Sequence, residues 1–270
     1  MIVLFTGTLK RTESILLKCV LVLICCSPWL LASGNELTII GSVHAPTKNY
    51  APSNLAEYIS RLEPDVVLTE GDPSMFNNKG KVANKASGLE VEAYRQVQRH
   101  HEIPIVNVSM ERRNQAMREI AYNQTLGEVF QVVQGAYNSD SLINASLFEK
   151  ILETFSARSS CMQNSTFEEL QSETCVNAFK NNSAAIFKDM QTLLERNPNL
   201  SDQLKRWKPL VAFHNQRHKK MADNVAEHVC EGSGKKYLLI VGVLHFSELR
   251  KILSTTDCDF KLRTYSAEQS

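Results

Sequence analysis

The pattern of apolar and polar positions divides the chain into alternating strands and helices. Glu36 to Val43 (ELTIIGSV) is a short apolar run rich in β-branched residues and predicts a buried strand. Pro52 closes the loop after it. Asn54 with Glu57 then makes a capping-box-like helix start, and Leu55, Tyr58, Ile59 and Leu62 recur on one helical face. Pro64 stops that helix, and Asp65 to Thr69 (DVVLT) predicts a second buried strand. A strand, a helix and a strand joined by short connections form a βαβ unit, which requires a parallel pairing. Gly71 to Ser87 is polar and reads as a long loop, of the kind that is functional or disordered inside a compact domain. A helix from Leu89 to His101 and a strand from Ile103 to Val108 complete the next step. From Glu111 to about Glu231 the pattern is helical, with interruptions near Asn138, Ser159 and Pro198. Lys236 to Leu244 (KYLLIVGVL) predicts a very apolar strand, followed by a helix from Ser247 to Leu253 and a strand from Phe260 to Tyr265. The expected fold is α/β: a mainly parallel central sheet with flanking helices and a helical insertion over residues 111–231.

The N-terminal segment has a different logic. Lys10, Arg11 and Lys18 stand against a single acid, Glu13, and an apolar run from Cys19 to Leu31 follows. Ala32, Ser33 and Gly34 then supply the small residues that a signal peptidase reads. The run is shorter than the roughly 20 apolar residues of a bilayer span. A signal peptide over residues 1–34 is therefore expected, cleaved before Asn35, leaving a single domain over 35–270 outside the cytoplasm, secreted or periplasmic. No stable membrane insertion is expected after cleavage.

Cysteine usage agrees with export. Of seven cysteines, Cys19, Cys25 and Cys26 lie in the expected signal, leaving Cys161, Cys175, Cys230 and Cys258. Four cysteines in an exported chain suggest two disulfides with three possible pairings. The two short closures, Cys161–Cys175 and Cys230–Cys258, are favoured. The absence of C-x-x-C spacing argues against a zinc knuckle or a thioredoxin-like motif. Sequons stand at Asn107, Asn123, Asn144, Asn164, Asn181 and Asn199, relevant only in a eukaryotic secretory pathway. The whole chain carries a formal charge of +1. Without the basic segment the remainder is nearly neutral, so a nucleic-acid partner is not expected.

Three positions at the ends of predicted strands carry candidate chemistry. His44 ends the first (GSVH), Glu70 the second (TEGD) and His245 the late one (GVLH). Ligands of open parallel sheets bind beyond the carboxyl ends of the strands. Both histidines sit in G-x-x-H frames, where glycine lets the backbone bend or a ligand come close. Two imidazoles with a carboxylate suit a divalent cation, or a general base and acid with the carboxylate orienting one ring.

On these residues the chain resembles the TraB/Tiki group. IIGSVHAPTKNYAPSNLAEYISRLEPDVVLTEGD (residues 39–72) is similar to its opening part, and NQRHKKMADNVAEHVCEGSGKKYLLIVGVLHFSELRKIL (residues 215–253) to its closing part. The wider superfamily includes the Tiki metalloproteases, erythromycin esterases, haem-binding ChaN proteins and a domain of a Pasteurella toxin. The resemblance implies that His44, Glu70 and His245 are catalytic or metal-binding, and that Arg217 occupies the place of an R-N-x-x-M arginine, with His218 replacing the Asn. A cleaner copy of that element, RNQAM, begins at Arg113 with Asn114 and Met117. Which arginine faces the site stays open.

The other histidines have simpler readings. His214 and His218 are four apart on a predicted helix, but Asn215 stands where a zincin needs its Glu. With Arg217, Lys219 and Lys220 beside them, a solvated basic face is expected. His100 and His101 end a helix, where positive charge is favourable, and Cys230 reads as a disulfide partner rather than a nucleophile. The functional expectation is a hydrolase, metal-assisted by a divalent cation, acting on a peptide or small-molecule ester substrate. Alternatives are a non-catalytic ligand-binding protein in the manner of the haem-binding relatives, and a toxin-like effector.

Overall fold

The structure is a computed structural model and describes residues 34–77, 79–231 and 234–265. Apart from Gly34, the expected signal peptide lies outside the described residues.

Five strands form one sheet in the order β3-β2-β4-β1-β5, and every pairing is parallel. They are β1 (Asn35–Ser42), β2 (Val66–Thr69), β3 (Ile105–Asn107), β4 (Lys236–Gly242) and β5 (Phe260–Thr264). The helix α1 (Pro52–Leu62) joins β1 to β2, and α2 (Leu89–Val97) joins β2 to β3. Between β3 and β4 lie α3 (Arg113–Glu119), α4 (Tyr122–Asn138), α5 (Ala145–Asn164), α6 (Phe167–Leu170), α7 (Glu173–Ala184), a π-turn (Ala185–Asp189), α8 (Met190–Glu195) and α9 (Ser201–Val229). α10 (Val243–Leu253) links β4 to β5. The α/β class, the parallel sheet and the helical insertion are therefore as the apolar pattern implied.

Strand alternation explains why both faces are covered. Ile40, Val67, Leu238 and Ile240 point into a core shared with α1, α2, α6 and α7, while Leu37, Ile39, Leu68, Leu239 and Val241 point into one shared with α9 and α10. A third apolar cluster around Trp207, Phe148 and Val133 lies within the insertion and includes no strand residue. The insertion thus packs largely on itself.

Several boundaries differ from the sequence reading for local reasons. α1 starts at Pro52, whose missing N–H costs nothing at a first helical position, and Asn54 accepts a hydrogen bond from Ala51 N at 2.8 Å. β3 is shortened because Pro104 has no N–H for the ladder, although its carbonyl still accepts from Val67 N. Ser159 lies inside α5, and the break comes instead at Ser165. The late strand stops at Gly242 and runs straight into α10 without a loop, so His245 stands in the first turn of a helix rather than at a strand end.

Both favoured disulfides are present: Cys161–Cys175 ties α5 to α7, and Cys230–Cys258 ties the end of α9 to the approach of β5. They close separations of 14 and 28 residues. Loops of that size contribute about 3 kcal/mol each by restricting the unfolded chain. Reduction is expected to lower the thermal midpoint, and peptide mapping without reductant should recover these two linked pairs. Free thiols at all four positions would contradict the account.

Candidate active site

β4 lies between β1 and β2, with Gly242 beside Ser42 and Ile240 beside Thr69. His44 and Glu70 leave the carboxyl ends of the two flanking strands and meet across Gly242. A Cβ on Gly242 would come within 2.9 Å of His44 Nε2, shorter than real Cβ contacts, and 3.0 Å of Glu70 Oε1, tighter than nearly all of them. The glycine of the second G-x-x-H frame is thus what allows this histidine and carboxylate to touch. Gly41, in the first frame, meets Val243 in the same way, its Cβ position lying 3.0 Å from Val243 Cγ1. Where β5 stops pairing, the side chain of Gln171 hydrogen-bonds both the N–H and the carbonyl of Gly41.

Glu70 is the centre of the cluster. Its Oε1 is 3.3 Å from His44 Nε2 and 3.7 Å from Arg217 Nη2, and its Oε2 is 3.8 Å from His245 Nε2. The glutamate is buried, and Oε2 has no hydrogen-bond partner. The backbone around it is tied down: the Ser109 hydroxyl and Arg113 both donate to the Glu70 carbonyl, and Asn114 binds Asp72 at 2.6 Å. Both arginine elements therefore converge here, Arg217 on the carboxylate and Arg113 on the main chain beside it.

Burial works against the charge of Glu70, but His245, His44 and Arg217 outweigh it and hold the carboxyl down at about 2. His44 has a second acid that the sequence did not point to. Glu90, in the first turn of α2, lies 3.2 Å from His44 Nδ1. Glu70 and then Glu90 push His44 up to about 10, although water reaches its largely exposed side chain and screens part of this. In the resting site His44 is an imidazolium between two carboxylates.

His214, His218 and His245 are held in the neutral form. Burial pushes His245 down to about 3, His218 to about 4 and His214 to about 2. His218 Nε2 is 2.8 Å from His245 Nδ1, and the geometry assigns the protons. A carboxylate facing His245 Nε2 favours the N–H there, so Nδ1 accepts from His218 Nε2–H. His218 Nδ1, buried without a partner, then carries only a lone pair, which costs less than an orphaned N–H. His214 stacks on Phe187 with ring centroids 3.6 Å apart and contacts His218 edge-on.

The solvated-face reading of His214 and His218 is thus corrected: both are buried. The signal was present in the spacing. Leu210, His214, Met221, Val225 and Val229 form one inward stripe of α9 with His218 on it, and the adjacent lysines fall on the opposite side. Glu90 had no comparable signal, since its role depends only on where α2 packs.

Three neutral buried histidines make stability acid-sensitive. Their folded pKa values lie below the unfolded value near 6.5, so below that pH the unfolded chain binds protons that the folded chain refuses. Each contributes a slope of up to about 1.4 kcal/mol per pH unit. The thermal midpoint should fall steeply between pH 6.5 and 5, before Glu70 protonates. A flat profile over that interval would show that these rings are solvated.

The donor types, two imidazoles and a carboxylate, suit a divalent cation. Their arrangement does not: among the described residues no three His, Cys, Asp or Glu side chains form a group that could hold a metal ion. A guanidinium 3.7 Å from the same glutamate oxygen opposes a dication there. The expected metal set of His44, Glu70 and His245 is therefore brought together, but as an ion-paired cluster.

Among the described residues no helix is long and apolar enough to cross a membrane. No protein-family model matches the chain, and no curated protein matches it. Among solved structures, a mutant erythromycin esterase in its open conformation aligns over 82% of this chain and 63% of its own, at 12% identity and a TM-score of 0.29. At that TM-score the likeness carries no weight in assigning a role to these residues.

Proposed function

We propose that this chain is an exported hydrolase of the kind the TraB/Tiki resemblance implies, cleaving an ester or peptide bond. The observation that carries the reading is the convergence of His44, Glu70, His245 and Arg217 on one point beyond the carboxyl ends of adjacent parallel strands. Two disulfides support the extracytoplasmic setting.

Each side chain has a task. Glu70 Oε2, the acceptor without a partner, takes a proton from the attacking water as its oxygen bonds to the substrate carbonyl carbon. Arg217, with the Nε2–H of His245, stabilises the oxyanion that forms. His44, steadied by Glu90 at Nδ1, gives its Nε2 proton to the leaving oxygen or nitrogen as the bond to carbon breaks. The proton on the Glu70 carboxyl then returns to His44 once the product has left, and the site is restored.

A carboxyl near 2 is a weak base and an imidazolium near 10 a weak acid, but each value depends on the other group. Substrate entering between His44 and Glu70 separates the pair, so the glutamate rises and the histidine falls, both toward neutrality, where proton transfer is most efficient. The pH profile of kcat should therefore be narrower than that of kcat/KM, since the first reports the bound complex and the second the free protein. Identical limbs in both profiles would argue against an ion pair opened by substrate.

The reading is tested by turnover of a panel of generic ester and peptide substrates by the mature protein, with and without a chelator. Turnover indifferent to the chelator is the outcome expected from the side chains as they stand. Loss of activity on chelation, restored by one added divalent cation, would establish instead the metal-assisted form held by His44, Glu70 and His245. No turnover on any substrate, together with haem binding seen as a Soret band, would replace the hydrolase by a ligand-binding protein.

A further inference from the structure

His44 borders two cavities. One, of about 270 Å³, opens on the Glu70 side and is lined by Tyr94, Arg113 and Glu90 among others. The other, of about 570 Å³, lies between the loop after β1 and the helix α5. Its walls include Val43, Pro46, Phe155 and Met162, all apolar, and besides His44 the charged side chain among them is Arg158.

Arg158 is fixed by neutral partners. Its Nε donates to Met162 Sδ at 3.4 Å and its Nη1 to Asn182 Oδ1 at 3.3 Å. Asn182 is fully buried and in turn donates to Thr154, so the amide that aims the guanidinium is itself held in place. No Asp or Glu among the described residues forms an ion pair with Arg158, and burial lowers its pKa with no carboxylate offsetting the shift. By contrast Arg95, Arg206, Arg217 and Arg263 each have a glutamate in reach. A half-buried guanidinium held by neutral groups in an apolar cleft is short of an anion, and its planar fork matches a carboxylate.

We infer that this cleft holds the carboxyl-terminal end of the substrate, an apolar residue whose side chain lies against Phe155 and Met162 and whose free carboxylate pairs with Arg158. The substrate class is then a peptide or N-acyl amino acid ending in an apolar residue. The inference rests on the hydrolase reading, because His44 is the residue that joins the cleft to Glu70. A volume of about 570 Å³ suits a ligand of this size. The bond presented at His44 is the one linking that last residue to the remainder of the substrate, which extends toward Arg113.

The test is a binding measurement that needs no turnover. N-acetyl-leucine and N-acetyl-leucine amide are titrated into the mature protein by calorimetry or NMR. The acid is expected to bind at least about tenfold more tightly than the amide, the size of a charge-assisted pair. Arg158→Gln should remove that preference and leave amide binding unchanged, Arg158→Lys should restore part of it, and Phe155→Ala should weaken N-acetyl-leucine more than N-acetyl-glycine. Equal affinity of the wild-type protein for acid and amide would overturn the proposal without any variant. So would binding of neither, or an acid preference that survives Arg158→Gln. A protein that binds the acid as described yet hydrolyses nothing would sink the hydrolase reading and leave the carboxylate site standing.

Discussion

Replacing His44 with alanine is expected to lower kcat/KM by on the order of 10²–10⁴-fold while leaving the fold in place. The two halves of that expectation have separate causes. His44 sits in a loop with its side chain 69% exposed, so little apolar contact is lost on truncation. A surface change of this kind alters stability by about 0.5 kcal/mol, with some addition here because Glu70 and Glu90 lose the cation between them. The chemical step, however, loses the group that protonates the leaving atom. His44→Gln tests the same point more narrowly, since an amide can still hydrogen-bond but cannot carry the proton. Full activity in either variant, measured on a substrate the wild type turns over, would remove His44 from the mechanism.

Glu70→Gln is expected to act on both activity and stability. The buried carboxylate compensates Arg217, whose side chain is only 14% exposed. Removing one member of a buried ion pair leaves the other charge uncompensated, at about 3–5 kcal/mol. For a domain of this length that corresponds to a fall of roughly 10 °C in thermal midpoint. The paired variant Glu70→Gln with Arg217→Gln should recover part of the loss, and His44 should titrate closer to its ordinary value once its largest partner is gone. The same pairing sets the behaviour in acid. A carboxyl held near 2 contributes stability above its unfolded value near 4.5 and loses it as pH falls toward 2. Additive single and double substitutions, or a Glu70→Gln protein as stable as wild type, would show that Arg217 does not depend on this carboxylate.

The most legible parts of the chain were those written in local chemistry. Runs such as LTIIGSV and KYLLIVG read as strands buried on both faces, because their apolar residues do not alternate with polar ones, whereas Val243 and Leu244 of the longer run open α10. Helical crossovers between successive strands leave a parallel sheet as the consequence. The disulfide pairs were readable as the shortest closures. His44, Glu70 and His245 were singled out because open parallel sheets present their strand ends to ligands; the first two follow strands, whereas His245 stands in the first turn of α10. Arg217 followed from the resemblance alone, and the structure sets it against Glu70.

What the sequence could not carry was any relation between distant segments. Nothing at Glu90 announces a partner 46 residues away, since its place beneath His44 is decided by how α2 lies on the sheet. Gly242 reads as an ordinary strand-end glycine until β4 is placed between β1 and β2, when the missing Cβ becomes the space in which His44 and Glu70 meet. His218 was misread because adjacent lysines weigh heavily in a linear reading, whereas a helix sends neighbours in sequence to different faces. The donor types likewise suggested a metal set. Whether they form one depends on what else reaches Glu70, and Arg217 arrives from the far end of the chain. Local sequence therefore determined the elements and the reactive groups, through propensity and periodicity. Tertiary structure decided their protonation and pairing, because those depend on burial and on distances of a few ångströms between residues the chain keeps far apart.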